Sequence, residues 1–397
     1  MKANKLTFKH TIYASYLGYI TQAIVNNLAP LLFLIFKDSF GIPLGKITLL
    51  ITVNFFVQLA VDFAASKAVD KAGYKPSVVT AHILCAAGLI MLAVMPQICK
   101  NSFAGLLAAV VVYAVGGGLI EVLISPIVEA CPSDNKASAM SLLHSFYCWG
   151  CVLVITLSTL FLHFAGKDRW QLLAVLWALL PLFNAVFFAL VPINTLTGEG
   201  KGMSYRELFS HGGFLLLIIM MVCSGASEQS MSQWASALAE SGLGVSKVAG
   251  DLAGPCMFAV LMGSARVIGA KLTNRVSLSL MMCVSGVICI ASYLITSLSV
   301  NPVVSLAGCA ICGFSVGIMW PATFSVASEK FTRGGTAMFA LLALAGDLGC
   351  MGGPTIVGEI SATLSDNLKS GMLVAAVFPA VLVVCVLLGS SKKFNPR

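Results

Sequence analysis

Ionisable side chains stand inside runs that are otherwise apolar, among them Glu121, His144, Glu228, Arg266 and Asp347. Carboxylates and an imidazole can take up and release protons, and a carboxylate facing a guanidinium can hold it, or a solute, by charge-assisted hydrogen bonds. Glu121 is the sharpest case, in the middle of Ala114-Val115-Gly116-Gly117-Gly118-Leu119-Ile120-Glu121-Val122-Leu123-Ile124-Ser125-Pro126. An ionisable group at mid-helix in hydrocarbon costs roughly 2.5–3.5 kcal/mol on insertion scales, so such a group is expected to face a bundle interior or a water-filled cavity. The three glycines before it allow another backbone to come close. Glu121, Ser125 and Gly118 share one helical face. Gln22 and Asn26 lie four apart with Asn27 beside Asn26, and Tyr147 follows His144 by three. Ser224-Gly225-Ala226-Ser227-Glu228-Gln229-Ser230 sets Glu228 among small polar residues, with Trp234 further on and Trp320 in a later run. Amides and hydroxyls supply donors and acceptors, and aromatic faces stack on the apolar face of a ring. Gln22, Asn26, Asn27, Ser125, Tyr147, Trp234 and Trp320 are therefore expected to bind a polyol- or sugar-sized solute. Glu121, with His144 or Glu228, is the expected proton site. Structural readings stay open beside these: Asn26, Asn27 and His144 as interhelix hydrogen-bonders, Glu228 paired with Arg266, Asp347 bonded to neighbouring helix groups, and the tryptophans as packing or interface anchors.

The elements that hold these groups follow from composition. Of 397 residues 58% are hydrophobic and 10% charged, and mean hydropathy is +0.94. Soluble domains average about 45–50% apolar and about 25% charged residues, so the chain is expected to be all-α and polytopic in a lipid bilayer. The net charge of +8 does not imply nucleic acid here. A span needs roughly 20 apolar residues, and twelve such runs occur, near 11–36, 44–66, 77–98, 103–130, 137–164, 169–192, 212–238, 248–271, 277–298, 302–328, 335–363 and 370–390. The longest polar insert falls between the sixth and seventh, giving an N-terminal six-helix bundle over 1–193, a linker over 194–211 and a C-terminal bundle over 212–397. Of the 24 Lys and Arg, sixteen fall on the side that holds the termini and the linker. By the positive-inside rule both termini are cytoplasmic. Ser138-Ala139-Met140-Ser141-Leu142-Leu143 opens the fifth span and Thr336-Ala337-Met338-Phe339-Ala340-Leu341 the eleventh. A duplicated six-span unit implies a solute site at the midplane between the halves.

Cys148-x-x-Cys151 and Cys309-x-x-Cys312 have redox or metal spacing, but both lie in predicted spans without neighbouring His or Cys partners in sequence. No metal, cofactor or enzymatic centre is expected, and no phosphate loop is present to power movement, so the driving force must be a gradient.

Ser66-Lys67-Ala68-Val69-Asp70-Lys71-Ala72-Gly73-Tyr74-Lys75, after the second span, resembles the G-x-x-x-D-R-x-G-R-R/K signature of the major facilitator superfamily. Asp70, Lys71 and Gly73 match it and would form its cytoplasmic conformational latch. Within that superfamily the chain resembles the fucose–proton symporter family of sugar permeases. Asn26-Asn27-Leu28-Ala29-Pro30 is similar to that family's N-N-L-N-D, and Leu119–Pro126 to its L-E-T-A-A-N-P. His144–Gly150 resembles its Q-T-F-N-S-F-G, and Met319–Phe324 its M-Y-P-T-I-F. The resemblance carries the family's fourth-span glutamate onto Glu121 and its fifth-span glutamine onto His144. Pro30 stands where the family has its first-span proton-coupling aspartate. Glu121 then carries the proton without it, borrows His144 or Glu228, or only holds the solute.

The resemblance and the residues together imply twelve helices in two pseudo-symmetric bundles and secondary transport of a small polar solute. Alternating access with proton coupling is the expected mechanism, in a monomer in a bacterial plasma membrane. An exporter of amphipathic compounds, and a non-cycling receptor or scaffold, are the alternative readings.

Overall fold

A computed structural model describes residues 6–132, 136–194, 203–272, 276–331 and 333–389, and among them every regular element is a helix. Twelve are long and apolar enough to cross a membrane: α1 (Phe8–Phe40), α2 (Leu44–Ala64), α3 (Tyr74–Ile98), α4 (Ser102–Val128), α5 (Leu142–Ala165), α6 (Lys167–Leu190), α7 (Gly212–Gly242), α8 (Lys247–Gly269), α9 (Leu278–Leu298), α10 (Pro302–Lys330), α11 (Met338–Thr363) and α12 (Leu368–Gly389). They coincide within a few residues with the twelve apolar runs. The physical reason is that hydrocarbon offers no partner for backbone N–H and C=O groups, so an apolar run of this length closes them within itself as a helix.

The chain divides into two compact units, Met1–Lys46 with Val53–Gly198, and Ile47–Thr52 with Glu199–Arg397. In the first, α1 packs on α5, and α3 on α4 and α6; in the second, α7 packs on α11, and α9 on α10 and α12. The same helix pairing thus recurs within each unit. Local signals recur with it. Asn101 caps α4 by accepting from the Phe103 and Ala104 N–H groups at 3.1 and 3.3 Å. Asn301, 200 positions on, caps α10 by accepting from Val303 and Val304 at 2.9 and 3.5 Å. Each cap satisfies N–H groups that the first helical turn leaves unpaired. The α1–α2 and α7–α8 turns each contain a left-handed glycine, Gly41 at φ +61° and Gly244 at φ +65°.

Small residues set the helix spacing. A Cβ on Gly116 would sit 2.5 Å from the Ala81 carbonyl oxygen of α3, and one on Gly313 would overlap the Phe258 carbonyl of α8. On α11, Gly349 lies against the Val222 carbonyl of α7. Two π-helical turns interrupt this regularity, Leu238–Gly242 at the end of α7 and Leu252–Cys256 within α8. The second contains Pro255, whose missing N–H cannot bond the Asp251 carbonyl, and a widened turn accommodates that loss.

The side chains of Asp70 and Lys71, those of 138–141 and 336–337 used in the repeat comparison, and linker residues 195–202 lie outside the described residues. Gly73 is described. It joins α2 to α3 at φ +86°, a conformation that favours glycine over residues with a Cβ.

Candidate functional site: polar seams in each helical unit

In the first unit Glu121 is half-buried on α4 and accepts a hydrogen bond from Gln22 Nε2 of α1 at 3.2 Å. The same nitrogen donates to Gln58 Oε1 of α2 at 2.9 Å. Gln58 Nε2 donates to Asn26 Oδ1 at 3.0 Å, and Asn54 Nδ2 donates to the same oxygen at 3.4 Å. An amide relay therefore runs Glu121–Gln22–Gln58–Asn26–Asn54 across three helices, with all four amides buried. An ionised carboxylate only accepts, so Glu121 turns the Gln22 nitrogen toward itself and fixes the sense of the following amides. Two acceptors, Gln22 Oε1 and Asn54 Oδ1, are buried and receive no hydrogen bond. Each such acceptor costs about 1–3 kcal/mol.

The Gly116–Gly118 run explains how α4 reaches this relay. Consecutive helical positions point about 100° apart, so each glycine meets different neighbours. Gly116 faces α3, a Cβ on Gly117 would lie 3.2 Å from Gln22 Oε1, and one on Gly118 would lie 3.1 Å from the Gln58 Cα. One helical turn past Glu121, Ser125 Oγ is hydrogen-bonded to the Tyr19 hydroxyl at 2.9 Å. The Tyr19 ring lies 5.4 Å from the exposed His144 imidazole. Tyr147, three residues along α5, is half-buried, and its neighbour Phe146 stacks on Tyr16 at 4.2 Å. Asn27 is not part of the relay. Its amide donates to the Ala23 carbonyl at 2.9 Å and to Cys151 Sγ of α5 at 3.2 Å, tying α1 to α5.

In the second unit the polar seam is charged. Glu228 Oε2 of α7 lies 3.7 Å from Arg266 Nη2 of α8. Gln229 Nε2 donates to Glu228 Oε1 at 3.4 Å, and Gln233 Nε2 to Gln229 Oε1 at 3.1 Å. Trp234 is fully buried, and its indole N–H donates to the Pro354 carbonyl of α11 at 2.9 Å. That bond and that burial make Trp234 a packing residue in this conformation. Trp320 of α10 lays its ring over Gly346 of α11, where a Cβ would overlap it. The next residue is Asp347, which is buried.

A second buried charge cluster, absent from the sequence reading, sits at the start of α8. Lys247 Nζ lies 3.0 Å from Asp251 Oδ2 and 3.9 Å from Glu240 Oε2. Ser236 Oγ donates to Asp251 Oδ1 at 2.5 Å. Its signals in the sequence were the four-residue Lys247–Asp251 spacing and the carboxylate itself, inside a predicted span. Gln58 and Asn54 were likewise overlooked, although they repeat at four-residue spacing within α2. All thirteen cysteines are free thiols. Cys151 takes the Asn27 amide, and Cys312 Sγ lies 3.8 Å from Cys289 Sγ.

The sequence profile of the Major Facilitator Superfamily matches residues 15–354. The chain belongs to the Major Facilitator Superfamily. It is accordingly an integral multi-pass membrane protein and a secondary transporter, not an enzyme. Solved structures share this superfamily fold at low sequence identity. The E. coli fucose–proton symporter is 17% identical, with 96% of this chain and 98% of that one covered and a TM-score of 0.67. A D-xylose–proton symporter is 12% identical, covers 98% of each chain and gives 0.78. A bacterial homologue of the human lysosomal transporter Spinster, inward-facing and unoccupied, is 13% identical, covers 97% of each chain and also gives 0.78. No curated protein sequence matches the chain significantly.

Proposed function

We propose that this superfamily member moves a small polar solute, a sugar or sugar-like compound, by alternating access coupled to protons. The observation that carries the reading is the Glu121 carboxylate, held within a membrane-spanning helix at the end of a buried amide relay. A carboxylate in this setting has two uses. It accepts hydrogen bonds from solute hydroxyls, and its proton affinity rises when it is cut off from water and falls when it is wetted. Alternating exposure of such a group ties proton uptake on one side to solute uptake on the same side. The solved fucose and xylose symporters of this fold, by their own descriptions, move a sugar with a proton, which supports the same pairing here.

The other residues take assigned roles within this proposal. Gln22, Asn26, Ser125 and Tyr147 contact solute, with Tyr19 orienting Ser125. His144 supplements Glu121 in place of the acid that Pro30 replaces. Glu228, Arg266 and Asp347 form the charged counterpart in the second unit, and Trp320 stacks on the solute ring. Asp70 and Lys71, with Gly73 setting the turn, form a cytoplasmic latch, and both termini are cytoplasmic. The test is a thermal-shift screen of the purified protein against sugars, polyols, nucleosides and amino acids, since a ligand of the folded state raises its melting temperature. A rise confined to sugars or polyols supports the reading. A rise confined to amino acids or nucleosides contradicts it.

A further inference from the structure

The fixed polarity of the amide relay has a consequence for what it can bind. Gln22 Nε2 is committed to Gln58 and Glu121, and the Gln58 and Asn54 amides both point their donors at Asn26 Oδ1. Turning Gln22 over would set its oxygen against Gln58 Oε1 and against the Glu121 carboxylate, so the orientation belongs to the relay and not to one rotamer. The groups left over are acceptors. Gln22 Oε1 and Asn54 Oδ1 are buried with no donor, on side chains that are 3% and 5% exposed. Native proteins pair nearly all buried polar atoms, and the exceptions concentrate where function requires them. The spans that build the relay hold few cations. In α1 and α2 the Lys residues are Lys9, Lys37 and Lys46, at or near the helix ends, and α4 has neither Lys nor Arg.

We infer that Gln22, Asn54 and Glu121 form an acceptor-lined subsite that takes the donor groups of the solute, selecting hydroxyl- or ammonium-bearing compounds over carboxylates and phosphates. The inference rests on the transport reading and adds two specificity-determining residues on α2: Asn54, through its acceptor, and Gln58, which holds the polarity. A solute hydroxyl or ammonium supplies the missing donors, while an anion brings acceptors to acceptors beside a carboxylate. In the conformation described both acceptor atoms are closed to solvent, so access belongs to another step of the transport cycle.

The subsite is tested by two comparisons on the purified full-length protein. The first needs no ligand. Asn54→Leu removes an acceptor that has no partner and leaves Asn26 Oδ1 its bond from Gln58, so its melting temperature is expected to equal or exceed that of wild type. Asn184→Leu is the control. Its amide bridges the Ala14 carbonyl at 3.0 Å and His82 Nε2 at 2.8 Å, and its loss is expected to lower the melting temperature. A drop in Asn54→Leu as large as that in Asn184→Leu overturns the inference. The second comparison measures the melting-temperature shift given by D-glucitol, D-glucosamine, D-glucuronate and D-glucose 6-phosphate. The polyol or the amino sugar is expected to raise the wild-type transition and to lose about tenfold or more in apparent affinity in Asn54→Leu, with no shift from either anion. A shift from an anion that persists in Asn54→Leu overturns the subsite while sparing the transport reading. No shift from any probe, with Asn54→Leu as stable as wild type, counts against the sugar-like solute while the unpartnered acceptors stand.

Discussion

At the scale of single residues, the two units solve the same problem differently. In the first, Glu121 accepts from the neutral amide of Gln22; in the second, Glu228 faces a guanidinium 3.7 Å away. Removing one partner of a buried pair strands the other, which costs far more than the pair contributes when both are present. Arg266→Leu is therefore expected to lower stability by on the order of 3 kcal/mol, and Glu228→Gln combined with it to recover most of the loss. Thermal unfolding of the two variants in detergent checks this, and equal melting temperatures for single and double variants would show that the pair is not the reason. Part of this chemistry was legible beforehand. Glu121, Gln22, Asn26, Glu228 and Arg266 stood out because a polar group in an apolar run needs a reason. Gln58 and Asn54 are as polar as Gln22 and Asn26, but their importance comes from which neighbours they reach. Lys247 sits just before the apolar run that begins near 248. Its burial against Asp251 depends on how the α7–α8 corner folds back, which local composition does not encode.

At the scale of helices, the twelve spans were legible because one physical constraint, backbone satisfaction in hydrocarbon, dictates them residue by residue. Their ends were less so: α1 runs to Phe40 and α7 continues through a π turn to Gly242, through Lys37-Asp38-Ser39 and Glu240-Ser241-Gly242, where the apolar pattern has already stopped. What holds neighbouring helices together within a unit is close approach at small residues, and α11 allows an internal comparison. Gly349 abuts the Val222 carbonyl of α7, whereas a Cβ on Gly352 would meet nothing within 4 Å. Gly349→Ala is expected to destabilise by about 1–3 kcal/mol through forced separation of the helices. Gly352→Ala is expected to be neutral or stabilising by up to about 1 kcal/mol, because alanine is the better helix former. Melting temperatures of the two variants give the answer directly; an equal loss at both positions would mean that α7–α11 contact is not what Gly349 serves. Lys247→Met belongs to this scale too. It leaves Asp251, which is 1% exposed, without its cation beside the π turn of α8. A lower melting temperature is expected, partly restored by Asp251→Asn in the same chain.

At the scale of the whole molecule, the recurring helix pairing and the matched Asn101 and Asn301 caps describe one six-helix plan used twice. The polar seams built on that plan have diverged, with an amide relay ending on Glu121 in one unit and the Glu228–Arg266 pair in the other. A proton-coupled cycle needs a group that can lose its charge at low cost. A carboxylate bonded to a neutral glutamine can do so more readily than one facing an arginine. In the proposed cycle Glu121 is therefore the expected coupling group, with Glu228 mainly holding Arg266. The most direct measurement is uptake, into vesicles containing the purified protein, of the solute identified by thermal shift, with and without an imposed pH gradient, for wild type and Glu121→Gln. Accumulation in wild type that follows the gradient, together with solute exchange but no gradient-driven accumulation in Glu121→Gln, is the expected result. Uptake indifferent to the gradient in wild type, or gradient-driven accumulation that survives Glu121→Gln, would contradict coupling through this carboxylate.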